Sequence, residues 1–132
     1  LVKHYLKLYE QAFLIYTLEK FSTNKLQKKG SSPKLMPRAP VFLNLFGLTD
    51  KGRKFELVVG LHLIQKYKEV YYWREGKYEV DFVIVHNKKI IGIEVKSGKK
   101  RDSRSIEKFQ EQFKAKCLIV TLDNFEQIDE LI

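Results

Sequence analysis

The pattern of apolar and polar residues after residue 48 predicts a long buried helix followed by a three-stranded meander. Thr49 or Asp50 can cap a helix that runs to about Tyr67, because its interior reads FELVVGLHLI. Three segments rich in β-branched and aromatic residues then alternate with turn residues. They are EVYYW at 69–73, YEVDFVIV at 78–85 and KIIGIEV at 89–95.

The remainder of the chain predicts a second helix and a fourth strand. Residues from about 103 to 115 place apolar side chains on one helical face, and CLIVT at 117–121 has the composition of a strand. Asp123 or Asn124 can cap a short final helix. The order α-β-β-β-α-β indicates a mixed α/β fold with helices packed on the sheet.

The first 46 residues predict a small appendage to this core. Residues 3–12 have near-helical apolar spacing, and FLIYTLEKF after them is typical of a strand. The stretch 22–40 holds all three prolines and no acid, so it marks a boundary. It is either a solvated linker or an arm that touches phosphates. We therefore divide the chain into an appendage at 1–46 and a core at 47–132.

The hairpin between the second and third core strands predicts a pair of neighbouring carboxylates. If Asn87 and Lys88 form a two-residue turn, Val85 lies opposite Ile90. The same pairing then continues along both strands, away from the turn. Three pairs follow from it: Val83 with Gly92, Asp81 with Glu94, and Glu79 with Lys96. The Cβ atoms of Asp81 and Glu94 would then be about 5 Å apart on one face.

The opposite face of this hairpin is apolar and belongs to the core; it carries Val80, Phe82, Ile84, Ile91, Ile93 and Val95. Two like charges placed opposite each other destabilise a sheet unless a cation lies between them. Mg²⁺ or Mn²⁺ held by carboxylate oxygens supplies that cation. The alternative is a solvated polar hairpin end in which Lys96 pairs with Glu79 or screens Glu94.

Two further residues complete the candidate site. Glu56 is the only acid in the apolar helix, and Gly52 and Gly60 flank it by one turn on each side, which allows backbone or ligand to approach. The alternative for Glu56 is a surface ion pair with Arg53. Lys96 follows Glu94 by two residues and could orient the attacking water or neutralise charge on a phosphoryl oxygen.

The string YYWREGKYEVDFVIVHNKKIIGIEVKSGKK at 71–100 resembles a C-terminal domain of unknown function. That domain follows the ATPase module of many prokaryotic AAA-type ATPases and is similar to PD-(D/E)XK, restriction-endonuclease-like nucleases. The matching positions are Glu56, Tyr72 to Arg74, Glu79 to Val83 and Ile93 to Ser97, with a weaker match over YLKLYEQAFLIYTLEKF.

The resemblance implies a restriction-endonuclease-like core and a catalytic set of Glu56, Asp81, Glu94 and Lys96. Asp81, Glu94 and Glu56 would bind Mg²⁺ or Mn²⁺, and Lys96 would be the catalytic lysine. Whether the chain is an enzyme is left open; the activity implied is that of a Mg²⁺-dependent endonuclease. The chain has no Gly-Lys-Ser/Thr phosphate-binding loop, so an ATPase module would lie on a missing part of the same chain. A homodimer is also left open.

The charge of the chain favours a polyanionic partner such as DNA. Lys and Arg number 25 against 16 Asp and Glu, a net charge of +9. The residues expected to contact phosphates are Lys25, Lys28, Lys29, Lys99, Lys100, Arg101 and Arg104. The single Cys117 favours a reducing, cytoplasmic setting, and no apolar run is long enough to span a membrane. The first residue is Leu rather than Met, which suggests a fragment.

Three functions follow from these features. The first is metal-dependent DNA phosphodiester hydrolysis, which requires all four residues Glu56, Asp81, Glu94 and Lys96. The second is a catalytically inactive nucleic-acid-binding or partner-binding module of an AAA-type ATPase, supported by the basic segments at 25–38 and 96–104. The third is a protein-interaction domain.

Overall fold

A computed structural model describes residues 1–12, 14–23, 32–39, 50–97 and 103–132, and over these ranges the chain is a mixed α/β protein with four helices. The helices are α1 (Val2–Gln11), α2 (Lys51–Lys66), α3 (Arg104–Phe113) and α4 (Ile128–Leu131). The strands are β1 (Ile15–Leu18), β2 (Lys34–Pro37), β3 (Val70–Glu75), β4 (Tyr78–His86), β5 (Lys89–Val95) and β6 (Lys116–Val120). None of the described helices has the length and apolar character needed to cross a membrane.

Helix α2 begins and ends as its sequence predicts. The side chain of Asp50 caps it by accepting a hydrogen bond from the Gly52 N–H at 2.7 Å. Tyr67 terminates it in an extended conformation with φ of −112°. Phe55, Leu57 and Leu63 are buried against the sheet, which places α2 over one sheet face.

The main sheet has four strands in the order β3-β4-β5-β6. The first three strands are antiparallel neighbours, whereas β5 and β6 run parallel because α3 connects them as a crossover. The predicted β4–β5 register is confirmed where the ladder is continuous, from His86 opposite Lys89 to Phe82 opposite Ile93. Asn87 and Lys88 form the turn with φ of 51° and 63°, the left-handed pair that a type I′ turn requires.

A β-bulge at the start of β4 interrupts the predicted alternation of faces. Between the pairs Tyr71–Val83 and Trp73–Val80, β3 advances by two residues and β4 by three. The extra residue lies at Asp81–Phe82. Our prediction that Val80 lies on the α2 face with Phe82 is therefore wrong: Val80 joins Trp73 and Phe109 in the cluster under α3.

The N-terminal segments pack onto the same sheet. Strands β1 and β2 form an antiparallel hairpin, and Lys20 after β1 pairs in parallel with Tyr72 at the edge of the main sheet. Leu18 and Met36 are buried in the cluster beneath α2. The sequence predicted β1 but not β2, because Pro33 precedes β2 and Pro37 is its last residue, and both prolines are typical of loops. The predicted boundary after residue 46 lies outside the described residues and stays a prediction.

The C-terminal helix is tied to α2 through Asp129. Its carboxylate accepts hydrogen bonds from Lys66 Nζ at 2.8 Å and Tyr67 Oη at 2.9 Å, and it lies 3.0 Å from His62 Nε2. Partial burial opposes its charge, but the bonds from Lys66, His62 and Tyr67 prevail and lower the pKa of Asp129 to about 2. The predicted cap Asn124 instead binds the end of β6, accepting from the Thr121 N–H and donating to the Ile119 carbonyl.

We expect Asp129→Asn to lower the free energy of unfolding by about 1 kcal/mol at pH 7, the size typical of an ion-pair network that is partly exposed. The folded pKa of about 2 lies below the ordinary 3.8, so the carboxylate stabilises the fold above pH 3.8 and loses that effect as pH falls toward 2. Urea unfolding of the wild type and Asp129→Asn at pH 7 and pH 2.5 measures the loss of unfolding free energy and its decrease at low pH. The exposed Asp123→Asn is the control. An equal loss at both pH values would contradict the assignment.

Candidate active site

Two carboxylates are buried at the bulge in β4. Asp81 is 2% exposed and Glu94 is 3% exposed, and no other charged residue in the described ranges is buried. The Val95 N–H donates to Asp81 Oδ2 at 2.9 Å, and the Asp81 N–H donates to Glu94 Oε2 at 3.4 Å. Each side chain therefore accepts a hydrogen bond from the main chain of the neighbouring strand. The structure brings Asp81 and Glu94 together, but through these bonds, because the β4–β5 ladder ends at the pair Phe82–Ile93.

A lysine from β2 approaches this acidic region from the α2 side. Lys34 Nζ lies 3.1 Å from Glu56 Oε1 and 3.6 Å from Glu79 Oε1. Burial disfavours its charge, but Glu56, Glu79 and Asp81 together outweigh that effect and raise the pKa of Lys34 above its usual value. Lys34 therefore stays protonated at neutral pH and connects Glu56 to the acids of β4.

The surroundings of Glu56 differ from both predictions made for it. Its cation is Lys34 of β2 rather than Arg53 of its own helix. The flanking glycines are filled by protein side chains: a Cβ at Gly60 would meet the ring of Phe82, and one at Gly52 would meet Ser97 Oγ. The glycines thus serve close packing of α2 on the sheet, and that packing sets the position of Glu56.

Lys96 directly follows β5, and its main chain continues the pairing with β6. Its N–H donates to the Val120 carbonyl at 2.9 Å, and its side chain is partly exposed. Burial, Glu94 and Asp81 raise the pKa of the Cys117 thiol to about 12, while Lys96 acts in the opposite direction. The charges of Asp81, Glu94 and Lys96 are therefore all felt at the Cys117 thiol.

Glu79 contacts other cations than the predicted Lys96. Arg74 of β3 donates to Glu79 Oε2 at 3.0 Å, and Lys34 approaches the other oxygen. The Glu79 N–H donates to Ser105 Oγ at 3.3 Å, which fastens α3 to the start of β4. Glu79 is thus part of a chain of charges that runs from Arg74 through Lys34 to Glu56.

The predicted nucleic-acid contacts fall mostly beyond the part of the chain that the structure describes. Arg104, the first residue of α3, is exposed. The other six, Lys25, Lys28, Lys29, Lys99, Lys100 and Arg101, lie outside the described residues. Their role stays a prediction.

The donor set at the bulge fits a hydrated divalent cation of the hard type. Asp81 and Glu94 offer carboxylate oxygens, which Mg²⁺ and Mn²⁺ prefer, and Mg²⁺ is commonly held by one or two carboxylates together with waters. Within the described residues, no three His, Cys, Asp or Glu side chains are grouped closely enough to hold a metal ion. The third predicted ligand, Glu56, is instead bound to Lys34.

Comparison with protein-family models matches residues 51–131 to DUF4143, a domain of unknown function. The matched span runs from the start of α2 into α4 and includes all four predicted site residues. No curated protein and no solved structure matches the chain. A domain of unknown function is what the resemblance of residues 71–100 predicted, and the nuclease-like part of that resemblance stays a prediction.

Proposed function

Because this chain belongs to the DUF4143 family, whose function is unknown, we propose its function from the chemistry of its site: metal-dependent hydrolysis of DNA phosphodiester bonds on a restriction-endonuclease-like core. The observation that carries this proposal is the burial of Asp81 and Glu94 side by side at the β4 bulge. Main-chain N–H groups donate to both carboxylates and hold them in place. Buried acids held close together in this way are typical of functional sites, where a divalent cation can bind to their oxygens.

Each residue has a separate role in the proposed reaction. Asp81 and Glu94 would hold Mg²⁺ or Mn²⁺, which supplies Lewis-acid stabilisation of charge on the phosphate. Glu56 pairs with Lys34, whose charge also acts on Asp81, and would help to hold the ion or position water. Lys96 would orient the attacking water and neutralise charge that develops on a phosphoryl oxygen. The basic residues that the sequence predicts as phosphate contacts would bind the DNA backbone.

The proposed setting follows from the same family resemblance. An ATPase module on another part of the same protein would be the partner of this domain, and DNA would be its substrate. Homodimerisation would bring two acidic sites to one duplex.

Manganese should bind at the paired carboxylates. We expect isothermal titration of the wild type with MnCl₂ to give saturable heat, and Asp81→Asn to weaken binding by about tenfold or more because one of two hard anionic ligands is lost. Glu126→Gln, which removes an exposed carboxylate in the C-terminal turn, is the matched control. Identical titrations of wild type and Asp81→Asn would leave the pair as a structural feature only.

The activity itself is tested by incubating the wild type with plasmid, single-stranded and branched DNA in Mg²⁺ or Mn²⁺. Cleavage that EDTA and Asp81→Asn both abolish supports hydrolysis at this site. Cleavage that Asp81→Asn retains would point to a contaminating nuclease. If none of the three DNA forms is cut, the proposal of hydrolysis fails.

One observation favours a second function, a catalytically inactive nucleic-acid-binding module. Lys34 already supplies a positive charge to Glu56 and Glu79 and acts on Asp81, so part of the acidic cluster is compensated without metal. Such a module would bind DNA with a strong salt dependence in EDTA and show no cleavage. The same cleavage assay therefore separates the two functions.

A further inference from the structure

A cationic pocket opens beside the acidic site, between the N-terminal hairpin and the edge of the main sheet. Its volume is about 330 Å³, at the lower end of the range for small-molecule sites. Six residues line it: Lys20, Ser32, Pro33, Lys34, Tyr72 and Arg74. Three of the six are basic and none is acidic, so the pocket is suited to an anion.

The backbone fixes the walls of this pocket. Lys20 lies in a parallel bridge with Tyr72, held by the Phe21 N–H to the Tyr72 carbonyl at 2.7 Å and the Tyr72 N–H to the Glu19 carbonyl at 3.1 Å. Tyr72 Oη donates to the Ser32 carbonyl at 2.8 Å. Two separate segments, residues 19–21 and Ser32, are therefore fastened to the tyrosine of β3, and the pocket is formed before any ligand binds.

The cations of the pocket are connected to the acidic site. Lys34 lines the pocket and contacts Glu56 and Glu79, while Arg74 lines it and contacts Glu79. Arg74 is 56% exposed at its side chain, so its guanidinium can also meet a ligand from solvent. A guanidinium beside two ammonium groups offers many N–H donors, the arrangement that recognises the oxygens of phosphate.

We propose that this pocket binds a phosphate of a nucleic-acid strand and so positions that strand across the acidic site. The inference rests on the proposed hydrolysis of DNA, because it assigns the strand that the site would cut. Lys34 is shared by both places, which sets the bound phosphate next to Glu56 and the carboxylates of β4. A strand held there by Lys20 and Arg74 would be read by its backbone and not by its bases.

Fluorescence anisotropy of a labelled single-stranded oligonucleotide, measured in EDTA across a salt series, tests the pocket. Lys20→Gln and Arg74→Gln should each weaken binding on the order of fivefold and reduce the salt slope by about 0.7. Arg74→Lys should keep most of the affinity, which controls for folding together with thermal unfolding. Lys89→Gln is the matched control, since Lys89 is exposed beside the β4–β5 turn, at the opposite end of β4 from Glu79, the partner of Arg74.

Each result has a defined meaning. If Lys20→Gln and Arg74→Gln bind no more weakly than Lys89→Gln, the pocket proposal is overturned. If inorganic phosphate binding depends on Lys20 and Arg74 but oligonucleotide binding does not, the pocket belongs to free phosphate compounds and the proposal is again overturned. The binding assay contains EDTA and therefore does not depend on metal or cleavage. Weaker oligonucleotide binding by Lys20→Gln and Arg74→Gln supports the pocket proposal even if the wild type does not cut DNA. A wild type that binds but does not cut contradicts the proposed hydrolysis and leaves the pocket proposal standing.

Discussion

Replacing Lys96 by Met should reduce DNA cleavage by about 100-fold or more while leaving DNA binding nearly unchanged. A donor aimed at charge that develops during the reaction contributes far more to the rate than to ground-state binding. Lys96 is one positive charge among 25, so its removal alters the overall field little. Its main-chain bond to Val120 does not depend on the side chain, so the end of β5 should keep its structure.

The matched control for Lys96→Met is Lys89→Met, because the two lysines flank the same strand at opposite ends. Plasmid nicking with Mg²⁺ and oligonucleotide anisotropy in EDTA would be measured on both variants. Lys89→Met should cut and bind like the wild type. A Lys96→Met protein that cuts at the wild-type rate would remove Lys96 from the site, whereas one that loses binding as much as cleavage would make Lys96 a phosphate contact.

The hairpin that carries Asp81 and Glu94 could be predicted because its determinants are local. A two-residue turn at Asn87 and Lys88 sets the register of both strands, and the observed pairs follow from it. The bulge could not be read in the same way, since it depends on how β3 pairs with β4. Its effect was to move Val80 to the other face while Asp81 and Glu94 stayed together.

Lys34 shows where sequence reasoning about the site ended. It lies in the proline-containing stretch 22–40, which the sequence assigned to a linker or an arm, yet it contacts Glu56, 22 residues away. Charge pairs at such separation leave no periodic pattern. Strand β2 is only four residues long, and its sequence Lys-Leu-Met-Pro gives little sign of a strand. In the structure Met36 is buried and Leu35 is exposed, as alternation along a strand requires. Glu79 was missed as part of the same network for the same reason.

Phe82→Ala should produce the largest loss of stability, about 3–5 kcal/mol. Phe82 is fully buried beside Asp81, and its ring lies against the glycine in the middle of α2. Truncation leaves a cavity that a helix packed on a sheet fills only in part. Urea unfolding measures the change, which should lower the midpoint with little change in slope. Leu122→Ala, at a position 74% exposed, is the control and should stay within about 0.5 kcal/mol.

The packing of Phe82 against Gly60 links the stability of the fold to the site, because Gly60 and Glu56 are one helical turn apart on α2. An ideal Cβ at Gly60 would lie 2.7 Å from Phe82 Cζ and would also meet the end of Met36. Gly60→Ala should therefore cost about 1–3 kcal/mol in the wild type and push α2, with Glu56, away from the sheet. In the Phe82→Ala background the added methyl enters vacated space, so the two changes should couple. Strictly additive effects would mean that α2 does not rest on Phe82, and that Glu56 is positioned by its ion pair with Lys34 alone.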